Sequence, residues 1–471
     1  MATQKQNVHP EYTGNIGYWE QLTHTLAGEK VVKDQGIKYL PMTDGMLKLE
    51  TTLQGKIYDA YKQRAVFSNF VEETAEAILG LMDKKPAHIV LPTALAGYED
   101  QMTPDGYNIH TLLKYVNRQQ VIKGRVGMLA DIKESSTSQD LPYVSVYCAE
   151  SIINWSSEFI AGEEVLTFVV LDESGMELVS GSWEKKKKYL VLLLNDGVYS
   201  QYTVEDEGQI SDNPGEGTEL VTPSIAGKTL DRIPFIFANC RDNTTAVSRP
   251  PLLSISNLSL SAYRQDADYR SGLFFAGQPT LTATGVSEDE VKKMAVGSHA
   301  VLFSSSKDAK FSYAETAGNA LSASKDAVAD LKNDATRRGV AFVEQGAESG
   351  KALENRMASK TASVKTIVST GKAAMEKLLE IICEWKGASF EEVVVEPNTD
   401  FVEDNLTAAD LVSLMTAKGL GAPISYESIH AWMRDRKYTD RDFEDEKDLI
   451  ADELLDFAPP DPTSPTLEDE D

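Results

Sequence analysis

The chain has 471 residues, 42% of them hydrophobic, a net charge of −27 and a mean hydropathy of −0.29. That length buries a sizeable core in roughly two to four domains, and the composition is that of a soluble globular protein. The charge argues against a surface that grips nucleic acid through Lys and Arg, and no run of about 18 apolar residues is present to span a bilayer.

Residues 1–36 are polar, carry turn signals and predict an extended arm. The amino terminus, MATQKQNVHPEY, has no apolar h-region, so no signal peptide is expected. Helical patterns follow at about 47–66, 67–83 and 109–122. GRVGMLADI then reads as a turn into a buried strand. From 140 to 240 the texture changes to short β-rich runs separated by Gly, Asp, Asn and Pro. Between LVLLL and VYSQY, Asn-Asp-Gly predicts a hairpin, because these residues tolerate positive φ. The first half is therefore α+β.

RPPLLSISNLSLSAYRQDADYRSGLFFAGQPTLTATG opens the second half. Its helix is apolar early, with Leu252, Ile255, Leu258 and Leu260, and charged late, with Arg264, Asp266, Asp268 and Arg270. A core helix normally keeps one charged side along its whole length. Asp266 and Arg270 are four apart in the favourable order, and Arg264 and Asp268 are also four apart. They read either as pairs within the helix or as charges that meet another subunit. A small β region, 279–315, comes next. A helix follows from about Leu321 to Glu344, with Val328, Leu331, Ala335 and Phe342 on one face. A very long helix, about 352–386, carries Val364, Val368, Gly371, Met375, Leu378, Ile382 and Trp385 at a period of 3.5. Gly371 is its expected bend point, and the helix is expected to be too long for its own chain to cover throughout. The strand-like FEEVVVEP and three short helices over 407–456 complete the ordered pattern. Leu411, Leu414, Ile424, Ile429, Trp432 and Leu454 suggest a small core there. From Asp442 to Asp471 there are thirteen acidic residues and one Lys, and PPDPTSPTLEDED reads as disordered.

Enzyme signatures are weak. The six histidines have no HxH or HExxH spacing, so no metal is expected. Cys148, Cys240 and Cys383 form no CxxC and read as free thiols in a reducing compartment. GAESGK at 346–351 has three residues between its glycines, Ala352 in place of Ser or Thr, and a helix rather than a strand before it. It reads as a helix–helix connection, not a phosphate loop. EKKKKY at 184–189 reads as an edge strand guarded by Lys, with a phosphate-binding patch as the other reading. No cofactor and no catalytic group are expected.

YLPM (39–42), YDAYKQRAVFSNF (58–70), GRVGMLADI (124–132) and DRIPFIFAN (231–239) carry a resemblance in the first half. PPLLSISNLSLSAYRQDADYRSGLFFAGQPTLTATG and LSASKDAVADLKNDATRRGVAFVE carry it in the second. In this order they resemble the portal proteins of tailed bacteriophages, over roughly 36–456. The resemblance implies a portal-like subunit. Its parts would be an arm (1–36), an α+β wing (37–250), a stem helix (251–275), a β-containing clip (276–315) and a stem return helix (316–344). A tunnel loop (345–352), a long wing helix (353–386), a wing return strand (387–403), a helical crown (404–457) and the acidic tail (458–471) would follow.

The resemblance also implies a ring of about 12 copies at the capsid vertex. Double-stranded DNA would pass through it without tight binding, which suits an anionic lining. Gln345, Gly346, Ala347, Glu348, Ser349, Gly350 and Lys351 would form the tunnel loop. Arg264, Asp266, Asp268 and Arg270 would set the subunit register. Glu288, Asp289, Glu290, Lys292 and Lys293 in the clip would dock the terminase large subunit and then the head–tail adaptor. Major capsid and scaffolding proteins are further implied partners, with no membrane. The implied location is the virion, with the host cytoplasm during assembly. Two other classes stay open: another virion ring or scaffold protein with a helical stem, and an acidic hydrolase using a carboxylate pair in the α+β half.

Overall fold

The computed structural model describes residues 7–456 apart from 133–135, 138–139, 161, 216, 278–279, 293, 295–302, 315–317, 339–349, 400, 402–407 and 436–437. It divides into two units, 1–401 and 402–471.

The described part of the expected extended arm is helical: α1 (Pro10–Leu26) and α2 (Glu29–Asp34). His9 caps α1 and Pro10 starts it, where a missing N–H costs nothing. Long-range contacts hold it. Trp19 and Leu22 are fully buried. The Trp19 Nε1 donates to the Lys123 carbonyl at 3.1 Å, and the Lys123 Nζ donates to the Trp19 carbonyl at 3.0 Å. Lys123 also pairs with Glu150. The local sequence is polar because only one stripe of the helix is covered.

α3 (Asp44–Leu47), α4 (Thr51–Arg64), α5 (Phe70–Met82) and α6 (Ile109–Lys123) follow. Gly124, at φ 77°, ends α6 in the left-handed conformation. β2 (Arg125–Asp131) leaves from it, buried along its whole length. It is the middle strand of an antiparallel sheet between β10 (Phe235–Asn239) and β3 (Tyr143–Cys148). A second antiparallel sheet has the order β4 (Ile152–Ile160), β5 (Glu163–Asp172), β8 (Tyr189–Asn195), β9 (Val198–Val204). The Asn-Asp-Gly hairpin joins β8 to β9, with Asp196 at φ 51° and Gly197 at φ 75°. β1 (His88–Val90) pairs with β13 (Val394–Glu396).

α7 (Leu253–Ala276), α9 (Gly318–Arg338) and α10 (Gly350–Lys386) form the second half of this unit. From Val364 onward a broad face of α10 is buried by its own chain, while Lys365, Thr366, Ser369, Lys377 and Glu380 stay exposed on the opposite side. Val364, Ile367 and Val368 pack with α5 and α7 residues. Met375, Leu378, Leu379 and Ile382 pack with α6, β2 and β13 residues. Ile381 and Trp385 pack with both larger sheets. Gly371 interrupts nothing in the helix. A Cβ there would meet Asn117 Oδ1 at 2.7 Å and Gln120 Oε1 at 2.9 Å, so the glycine lets α6 approach closely.

The second unit holds α11 (Ala408–Gly419), α12 (Tyr426–Asp435) and α13 (Phe443–Asp456). Of the core expected there, Ile429 is buried, while Leu411, Leu414, Ile424 and Trp432 are half-buried. The side chain of Leu454 and the tail from 457 lie outside the described residues.

Gly127 sits mid-strand in β2, where a Cβ would stand 2.2 Å from Phe235 Cζ and 2.9 Å from Ile152 Cδ1. Gly127→Ala is therefore expected to lower unfolding stability by about 1–3 kcal/mol through overpacking. Denaturant unfolding would check this, and an unchanged midpoint would contradict it.

Candidate functional site

α7 and α9 run antiparallel as a stalk. Leu321 lies against Gly272, Gln265 Nε2 donates to Ser324 Oγ at 3.2 Å, and Ala335 packs in the cluster with Leu252 and Ile255. The far end is closed by a two-stranded sheet, β11 (Thr280–Thr284) with β12 (Lys310–Ala314), and by α8 (Glu288–Val291).

The change of character along α7 has a structural cause. Its first turns join the α5–α10 cluster. Leu260, Tyr263 and Ala267 join a different cluster with Tyr39, Leu40, Tyr58, Tyr61 and Phe67 from the amino-terminal segments. The charges of its second half also engage those segments. Asp266, 3% exposed, accepts the Val66 N–H at 2.8 Å and pairs with Arg270 at 2.7 Å. Asp268 accepts the Tyr61 hydroxyl at 2.5 Å, and Arg264 Nε donates to the Tyr39 carbonyl at 2.8 Å. Burial first, then that carboxylate, push the Tyr61 hydroxyl well above its ordinary pKa. All four are engaged within their own chain: Arg270 pairs along α7 with Asp266, and Arg264, Asp266 and Asp268 tie α7 to the amino-terminal segments.

Toward its far end the stalk leaves several large apolar side chains uncovered. Leu273 and Phe275 at the end of α7 are 51% and 62% exposed. At the tip, Val291 and Phe303 are 52% and 76% exposed. Sequence reasoning missed all four, because isolated apolar residues in a mixed stretch carry no period.

Among the residues expected to dock partners, Glu288, Asp289 and Lys292 are at the tip, with Lys292 and Asp289 3.9 Å apart. Lys293 lies outside the described residues. Glu290 has an internal task. It completes the capping box with Ser287 and accepts the Ser305 N–H at 2.9 Å and the Ser305 hydroxyl at 2.7 Å. The Ser305 bonds, the backbone one first, hold its carboxyl down at about 2. In the expected tunnel loop, 345–349 lie outside the described residues, and Gly350 and Lys351 open α10 rather than a loop.

A groove of about 640 Å³ lies at the root of the stalk, between the start of α7 and α10. Leu252, Ile255, Val364 and Ile367 line it together with Arg249 and Arg338. No local pattern announces it, since its arginines are scattered along the chain. Among the described residues, no group of three or more His, Cys, Asp or Glu is placed to hold a metal ion. None of the described helices is long and apolar enough to cross a membrane. All three cysteines are free.

Two outcomes are expected. Asp266→Ala takes the acceptor from the Val66 N–H and the carboxylate partner from Arg270, and is expected to cost about 1–3 kcal/mol of monomer stability, read by thermal unfolding. Glu290 is ionised more readily in the folded tip than its ordinary 4.5, so its support is full above that pH and is lost as pH falls toward 2. Glu290→Gln is accordingly expected to speed amide exchange at Ser305 at neutral pH, and unchanged protection would contradict it.

Residues 251–386 match a family described as "Domain of unknown function (DUF4055)". No curated protein matches the chain. Two solved structures align with it at 10% identity. The first, "Neck of empty GTA particle computed with C6 symmetry", has a TM-score of 0.40, with 78% of this chain and 90% of the other covered. The second, "Neck of native GTA particle computed with C12 symmetry", has a TM-score of 0.39, with 77% and 89% covered. At these scores the alignments carry no argument about this chain, and the matched domain is what it is similar to.

Proposed function

We propose that this chain is a portal-type subunit, forming a ring at a capsid vertex through which double-stranded DNA is packaged and ejected. The observation that carries the reading is the stalk. α7 leaves the wing, a small β tip closes the far end, and α9 returns against α7. Among the described side chains of α9, only Val328 and Ala335 are buried. Neighbouring copies would cover the remaining faces and the apolar end at Leu273 and Phe275.

The motifs that resemble portal proteins fall in the same order along this architecture. The tip, with Glu288, Asp289, Val291 and Phe303 exposed, is the surface offered to the terminase motor and later to the head–tail adaptor. The protein has no catalytic step of its own in this reading, and the packaging ATPase is a separate chain. The anionic surface suits passage, because each Lys–phosphate contact adds affinity and hence friction.

Twelve copies of a 51.7 kDa chain weigh about 620 kDa, and a head-to-tail contact that closes gives such a ring. Mass photometry is expected to show a species near that mass, beside monomer at low concentration. Leu273→Glu with Phe275→Glu is expected to shift material to monomer without moving the monomer's melting point. A chain that stays monomeric at every concentration and salt, scaffold included, would sink the reading. Replacing Ala347–Ser349 is expected to leave the ring assembled and to impair DNA packaging or retention; normal packaging would remove these residues from the channel.

A further inference from the structure

Four lysines in EKKKKY lie in and beside a strand whose only strand partner among the described residues is its own hairpin neighbour. β6 (Gly175–Val179) and β7 (Ser182–Lys186) pair with each other and with no other described strand. A lone two-stranded ribbon is marginally stable in water. Leu178 stands opposite Trp183 and Met176 opposite Lys185, so these four side chains share one face. Met176, Leu178 and Trp183 are 59%, 57% and 65% exposed. On the other face Glu177 pairs with Lys186 at 2.8 Å. Lys185 and Lys187 make no salt bridge among the described residues.

The same sheet offers a complement at its opposite end. The ribbon leaves where β5 ends at Asp172 and β8 begins at Tyr189. A groove of about 790 Å³ lies at the other end, by the β4–β5 and β8–β9 turns. Ile160, Val165 and Leu194 give it apolar walls, and Glu158, Asp196 and Asp212 give it acidic ones. The ten residues of β5 separate the two features by about 30 Å, while the ribbon reaches about 17 Å and starts from the far end. The ribbon therefore cannot fold back into its own groove.

We propose that the β6–β7 ribbon of one copy seats in the acid-walled groove of the next copy, its Met176–Leu178–Trp183 face on the apolar walls and its lysines against the carboxylates. The two patches differ and lie at opposite ends of one sheet, so the contact is head-to-tail. The inference deepens the ring reading and rests on it for closure of the contact.

The test uses the full chain and two charge reversals, Lys185→Glu with Lys187→Glu, and Asp196→Lys with Asp212→Lys. All four positions are exposed, and circular dichroism checks folding. Each reversed chain alone is expected to lose assembly, by about tenfold in the concentration needed. Mixing the two is expected to restore it, because each reversed ribbon then meets a reversed groove. Trp183→Ala is expected to weaken assembly in the same direction. Wild-type rings that survive both reversals unchanged overturn the ribbon contact and leave the ring reading standing. Ribbon-dependent association into open, non-closing chains overturns the ring and leaves the contact standing. Trp183-dependent flotation with phosphatidylserine vesicles, with rings unaffected by Trp183→Ala, assigns the ribbon to a membrane surface and overturns the proposal.

Discussion

Burial of α10 on several sides is the constraint on which the first unit depends. From Val364 to Trp385 this helix contributes to three separate apolar clusters. They hold residues from the amino-terminal helices, both larger sheets and the root of the stalk. Gly371 is part of that arrangement, since a side chain there would push α6 away from the helix. A helix buried this way transmits position. The stalk root packs on Val364, Ile367 and Val368, while the sheet carrying the ribbon and groove packs near Ile381 and Trp385.

The stalk is fixed by chemistry that resists sliding. Asp266 is buried with one backbone N–H and one guanidinium as partners, and a shifted α7 would strand it. Asp268 and Arg264 add bonds to Tyr61 and Tyr39 in the same cluster region. These contacts fix α7 against the amino-terminal segments and leave its apolar end and the tip exposed. The proposed ring rests on this attachment together with the uncovered apolar side chains at the end of α7 and at the tip.

The second unit follows another logic. Its three helices leave Val412, Met415, Leu420 and Ile450 largely exposed, with Leu420 at 85%. Small bundles bury little, because surface is large relative to volume.

Much was legible in the sequence where periods are strong. α6, β2, the Asn-Asp-Gly hairpin, the order stalk, tip, return and long helix, and the three carboxyl-terminal helices follow from local pattern and turn chemistry. The 3.5-residue seam of α10 correctly named Val364, Val368, Met375, Leu378, Ile382 and Trp385 as a buried stripe. It did not reveal Leu379, Ile381 and Cys383 flanking that stripe, because a one-dimensional period reports a stripe and not how wide a face its neighbours cover. Only the tertiary structure turned residues 10–34 into helices, since Trp19 and Lys123 meet across 104 positions of sequence. It alone assigned Asp266, Asp268 and Arg264 to their own chain, because their partners sit some two hundred residues away. It alone placed an apolar, lysine-bearing ribbon and an acid-walled groove at opposite ends of one sheet. Spacing along a chain fixes which faces a helix or strand has; what covers each face depends on contacts between residues far apart in that chain.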